Sequence, residues 1–159
     1  SFISSYNVNP LYQGLSPIID NPLVDELSSI KVGDDEKWLI YDNLLLENYL
    51  AANDFPTINS TYVVPDLEFW GFFDETNEFG NIYNRYAHII IANIDDQNTI
   101  EFELIQDDLF KFYINPCNEK LEELNINNFI FLSKQEFECL NLEQQIDLPK
   151  IDYFVYLRK

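Results

Sequence analysis

The hydrophobic positions change their spacing several times along the chain, and each change marks an element. Asp20-Asn21-Pro22 reads as a helix start. Asp20 or Asn21 can accept the free first-turn amides, and a proline there gives up an N–H that has no partner in that turn anyway. Leu23, Leu27 and Ile30 continue at helical spacing, and Gly33 ends the stripe. Trp38 to Tyr41, an apolar run after a charged turn, predicts a short buried strand. Asn43 to Asn53 carries Leu45/Tyr49 and Leu46/Leu50 four residues apart, which predicts a second amphipathic helix. Ile58 to Val64 predicts a strand stopped by Pro65. Asp66 to Phe73 predicts a helix capped by Asp66, with Leu67, Trp70 and Phe73 inward, and Asn81 to Tyr86 a further helical turn.

In the second half strands dominate. Ala87 to Ile94 is the strongest strand signal, followed by a turn at Asp95 to Asn98. Thr99 to Ile105 alternates Ile100, Phe102 and Leu104 with Glu101, Glu103 and Gln106, so one face is wet. Phe110 to Ile114 completes what reads as a three-strand antiparallel meander. Asn118 to Leu124 predicts a helix, Phe129 to Leu132 a strand, Gln135 to Leu140 a helical turn, and Tyr153 to Leu157 a last strand. Helices and strands alternate at both ends of the meander. The predicted class is therefore α/β, a mixed sheet with helices on its faces, containing an antiparallel meander.

A length of 159 residues fits one domain, large enough to bury about 68–70% of its unfolded surface. Residues 1–159 are accordingly read as a single α/β domain. With 47% hydrophobic residues the chain is too apolar for disorder. No run reaches the ~18 apolar residues of a membrane span; the most apolar stretch, Ala87 to Ile94, already contains His88 and Asn93. The chain begins at Ser1 and has no methionine, which reads as a piece excised from a larger protein.

Charge narrows the partners. A net charge of -19 repels nucleic acid, anionic lipid and anionic polymers. Three readings compete: a solubilising surface, a nucleic-acid mimic that inhibits a basic partner as an immunity protein does, and a cation site. Against the last, Asp34-Asp35-Glu36, Asp95-Asp96 and Asp74 to Glu78 all miss calcium-loop spacing. One histidine and two widely spaced cysteines do not make a zinc site, so no metal and no cofactor is expected. Cys117 and Cys139 could form one disulfide or remain two buried thiols.

The densest polar segment is Tyr83-Asn84-Arg85-Tyr86-Ala87-His88. Arg85 could fork onto a carboxylate or phosphate in an anion or sugar pocket. The structural alternative has Arg85 paired with a buried acid while His88 and the tyrosines lock helix to strand. No G-x-S-x-G elbow accompanies His88, neither cysteine has a catalytic context, and no carboxylate pair is singled out by the sequence. No catalytic residue is assigned. Asn59-Ser60-Thr61 matches a glycosylation sequon, and Asn59 could equally close a turn. Trp38, Trp70 and the thirteen phenylalanines suit a core better than a carbohydrate-stacking surface.

Several segments, in order, carry a family likeness: Asn9 to Gly14, Lys37-Trp38, Asn43 to Ala52, Pro56 to Tyr62, Pro65 to Trp70, Ile82 to His88 and Leu124 to Ser133. Together they resemble the extracytoplasmic C-terminal soluble domain of polytopic membrane proteins of Gram-positive bacteria, which are similar to lipid-phosphosugar-dependent membrane glycosyltransferases. The chain differs from that pattern in its scarcity of basic residues and its two cysteines. The resemblance implies that sugar-transfer chemistry belongs to a membrane-embedded part of the same polypeptide. This domain would stand on the extracytoplasmic face of the cell membrane, where it would shape or gate an acceptor or sugar site without catalysing transfer. The implied partners are that membrane part and a carbohydrate or lipid-linked sugar, with no nucleic acid. Asn59, Tyr83, Asn84, Arg85, Tyr86 and His88 match motif positions and become the ligand-binding candidates. An acidic inhibitor acting by charge mimicry is the rival reading.

Overall fold

The computed structural model describes residues 22–33, 35–58 and 64–159, with helices concentrated in the first half and strands in the second. The chain divides into two units, the first ending at Lys31 and the second running from Val32 to Lys159. In the first, helix α1 (Pro22–Ser29) buries Leu23 and Leu27, and Ser29 Oγ donates to the Glu26 carbonyl in its last turn. The expected caps Asp20 and Asn21 lie outside the described residues.

The second unit holds β1 (Lys37–Ile40), α2 (Leu44–Ala51), α3 (Leu67–Phe73), α4 (Gly80–Tyr83), β2 (His88–Ala92), β3 (Ile100–Gln106), β4 (Leu109–Ile114), α5 (Glu119–Glu123), β5 (Ile126–Phe131), β6 (Leu140–Leu148) and β7 (Ile151–Arg158). Local chemistry accounts for the helix starts. Asn43 Oδ1 accepts from the amides of Leu45 and Leu46, Asp66 from Phe69, and Asn118 from Lys120. In α2 only the Leu46/Leu50 pair turns inward, while Leu45 projects into solvent. The strand expected over 58–64 lies largely outside the described residues; Thr57, just before it, makes a parallel bridge to Trp38.

The fold is mixed α/β, as predicted, with its strands in two mixed sheets. One has the order β1-β5-β7-β6 and the other β2-β4-β3. They meet at the end of β1, where the Tyr41 amide donates to Ile130 O and the Asp42 amide to Ile91 O. Burial explains the second order. β4 buries Phe110, Phe112 and Ile114, whereas β3 buries only Phe102 and carries Glu101 and Glu103. A meander in chain order would place β3 at the centre. Instead β4 inserts between, parallel to β2 and antiparallel to β3, leaving the charged strand on the edge.

The same logic hid β6 from the sequence. Of its nine residues only Leu140 and Ile146 are buried, and it forms an edge of the four-stranded sheet, antiparallel to β7. The helical turn expected over 135–140 does not form; that segment is irregular and leads into β6.

Trp70 centres the aromatic core. It stands edge-on to Phe102, Phe110 and Phe112, with ring centroids 5.9, 5.4 and 5.3 Å away. Cys117 and Cys139 are joined, with Cα atoms 5.6 Å apart, which decides between the two readings of the cysteines. The bond ties the segment before α5 to the start of β6.

Candidate functional site

The chain leaves α3 through Asp74, and the next ten residues fold around that carboxylate. Asp74 Oδ1 accepts from the Glu78 amide at 2.9 Å. Oδ2 accepts from the Phe79 amide at 2.8 Å and from the Tyr83 hydroxyl at 3.3 Å. Asn77 takes a left-handed backbone conformation, φ 54°, which asparagine tolerates better than most residues. Its Oδ1 lies 3.4 Å from the same hydroxyl. Gly80 packs closely on Asn77, and an added Cβ would push the Asn77 amide away from the Tyr83 hydroxyl. Burial, and then the Asp74 charge, raise the Tyr83 pKa above its ordinary value, so the phenol stays protonated and donates.

This braced loop forms one wall of a cleft of about 590 Å³, within the rough 300–1,000 Å³ range of small-molecule sites. Helix α3 contributes Leu67 and Gly71, and its C-cap contributes Asp74. The loop contributes Asn77 and Glu78, and the α4 region contributes Gly80, Asn81, Tyr83 and Asn84. On another face of α3, Phe69 and Trp70 line a smaller cavity of about 160 Å³ with Lys37, Thr57 and Asp66. No group of three or more His, Cys, Asp or Glu is arranged to hold a metal among the described residues.

Of the sequence candidates, Tyr83 and Asn84 belong to the cleft. Tyr83 is buried in its floor at 4% exposure, and Asn84 stands exposed at its rim. Arg85, Tyr86 and His88 do not line it. Arg85 donates to the carbonyls of Asn81 and Asp107, pinning α4 to the β3–β4 turn, and its Nε is buried without a partner. The expected pairing of Arg85 with a buried acid does not occur among the described residues, because backbone carbonyls take the guanidinium instead. The exposed Tyr86 ring sits edge-on to His88, centroids 5.9 Å apart, and the His88 amide donates to Asp108 O. Asn59 lies outside the described residues.

Sequence reasoning missed Gly71, Asp74, Asn77 and Asn81. The run Asp74 to Glu78 misses calcium spacing, yet an aspartate followed by asparagine at a turn is also a loop-closing signal. Gly71, alone inside a helical pattern, was the other available mark.

Glu47 on α2 is fully buried, whereas most other carboxylates face water. Among the described residues the one ion pair is Lys120–Glu75 at 2.7 Å, and the Lys120 hydrogen bond, then its charge, lowers the Glu75 pKa. No described helix is long and apolar enough to cross a membrane. No curated protein and no solved structure matches the chain. Residues 17–158 match a family described as a domain of unknown function, DUF7654. With most of its length matched, the chain belongs to the DUF7654 family.

Proposed function

We propose that this domain is the non-catalytic, extracytoplasmic part of a membrane glycosyltransferase-like protein, in which the cleft over residues 67–84 shapes or gates an acceptor or sugar site. The observation that carries the reading is how the cleft uses its buried carboxylate. Asp74 already receives two amides and a phenol. It braces the floor and is not poised to move a proton. Amide side chains then line the cleft, a chemistry that holds a hydroxylated ligand in place. Two further features support the location. Disulfides such as Cys117–Cys139 persist in oxidising compartments. A net charge of -19 keeps a domain off anionic headgroups, as suits one that stands clear of the bilayer.

The test uses the full-length protein in sealed vesicles of known orientation. An Asn81→Ala/Asn84→Ala double variant is expected to raise the acceptor KM while kcat holds, and externally added protease is expected to reach the domain in right-side-out vesicles. An unchanged KM, or a domain protected from that protease, would overturn the reading.

The acidic-inhibitor reading is favoured by one observation, the single ion pair among the described residues of a chain with 28 acids. It requires inhibition of a basic enzyme that fades as salt rises, and it makes no use of the cleft.

A further inference from the structure

Gly71 has no structural reason to be glycine. It sits inside α3, where glycine is less stable than alanine by roughly 0.5–1 kcal/mol. A Cβ built on it meets nothing within 4 Å, and its backbone is not in the left-handed region. What glycine does here is leave helix backbone bare in the cleft wall. One turn earlier Leu67 lines the same wall at 48% exposure. Leu67 and Gly71 together make a small apolar platform in an otherwise polar cleft.

Around it stand Asn77, Asn81 and Asn84. Asn81 holds Arg85 through its backbone carbonyl, and Asn84 closes onto Gly80 through its backbone N–H, so these contacts leave both side-chain amides uncommitted. A side-chain amide offers a donor and an acceptor together, which matches the edge of a vicinal diol. Among the described residues the cleft is lined by the carboxylates Asp74 and Glu78 and by no Lys, Arg or His.

We propose that this cleft binds neutral glycans: a sugar ring lays its C–H face on Leu67 and Gly71, and its hydroxyls meet Asn81, Asn84 and Glu78. The proposal rests on the reading of the cleft as a sugar or acceptor site and narrows it. Nothing in the lining offsets a phosphate or a uronate, and two carboxylates repel one. Of a lipid-linked sugar, the cleft therefore meets the ring and not the phosphate.

The experiment titrates the 159-residue chain, by saturation-transfer NMR and calorimetry, with neutral hexose oligosaccharides and with the same backbones carrying phosphate or uronate. Neutral compounds are expected to bind. Anionic ones are expected to bind about tenfold more weakly at low salt, a gap that closes near about 1 M salt as the carboxylates are screened. Gly71→Leu is expected to keep or raise the thermal midpoint and to lose binding, because its side chain enters the cleft. Where Gly71→Leu unfolds, Asn84→Asp serves: it should weaken every neutral ligand and widen the gap to the anionic ones. Anionic glycans binding as well as neutral ones, or a folded Gly71→Leu that binds as the parent does, would overturn the proposal. If no glycan binds while the Asn81/Asn84 double variant still raises the acceptor KM, this inference falls and the accessory reading stands. If both measurements fail, both fall.

Discussion

Helix α3 presents two faces that differ in almost everything except backbone. One carries Phe69, Trp70 and Phe73: Trp70 stands edge-on to Phe102, Phe110 and Phe112, Phe73 packs on Phe112 with centroids 4.9 Å apart, and Phe69 packs on Trp70 and Phe73. The other carries Leu67 and Gly71, with Asp74 at the helix end, and faces an open cleft. The first face is packed with rings around the buried Trp70. On the second, one position has no side chain at all. Seven residues thus serve two purposes, and stability and binding should separate when each face is changed alone.

The largest effect is expected on the filled face. Trp70 is 2% exposed and touches rings on α3, β3 and β4. Trp70→Ala should destabilise by about 3–5 kcal/mol in urea titration, the range for deleting a buried aromatic. A loss under about 1 kcal/mol would mean that the core does not depend on this face. Next comes a control on neither face. Replacing Cys117 and Cys139 by serine opens a loop whose ends are 22 residues apart, for a loss of about 3 kcal/mol on the chain-entropy account. Ligand binding by the cleft should survive it at temperatures where the chain stays folded.

On the open face, Asp74→Ala strands the Glu78 and Phe79 amides and the Tyr83 hydroxyl. A loss of about 2 kcal/mol is expected, since each donor loses a charged acceptor. Amide exchange in residues 77–83 should rise with it. Exchange unchanged there would show that the loop holds its shape without the carboxylate.

Two tyrosines extend the comparison to high pH. Tyr41 is fully buried in the core and donates to Ile114 O at 3.1 Å, and burial raises its pKa well above 10.0. Tyr83, in the cleft floor, is raised as well. A phenol whose folded pKa lies above the unfolded value adds stability below pH 10. That stability is lost progressively as pH rises from the unfolded value towards the raised folded one, because the unfolded chain releases its proton first. Thermal midpoints should therefore fall above about pH 10. Each Tyr→Phe change should cost about 1 kcal/mol at neutral pH. Tyr41→Phe should flatten the alkaline fall more than Tyr83→Phe. The smallest effect runs the other way: Gly71→Ala should stabilise by roughly 0.5–1 kcal/mol, read as a raised midpoint.

Much of the fold was legible because its signals are local. Asn43, Asp66 and Asn118 each satisfy amides two or three residues on, and such caps can be read from a short window. The runs that became β1, β2, β4 and β5 are apolar enough to announce themselves. β6 is not, because an edge strand buries one side of itself at most, and LNLEQQIDL buries two residues of nine. The site was legible in part. Tyr83 and Asn84 stood out within a polar segment, yet Arg85, Tyr86 and His88 in the same segment turn away from the cleft. Adjacent residues on a helical turn and a strand point to different places, so a cluster in sequence is not a cluster in space.

By itself, then, the sequence determined the α/β class, the helix starts, the aromatic core and the strongly acidic surface, each set by a residue's own chemistry or by neighbours within a turn. Tertiary structure decided the rest. It decided that β4 and not β3 lies in the middle of its sheet, that Cys117 meets Cys139, and that Asp74 gathers Glu78, Phe79 and Tyr83 beside a bare Gly71. Each depends on which surfaces compete for the core and which backbone groups remain to be satisfied once the winners are buried, and that competition spans the whole second unit.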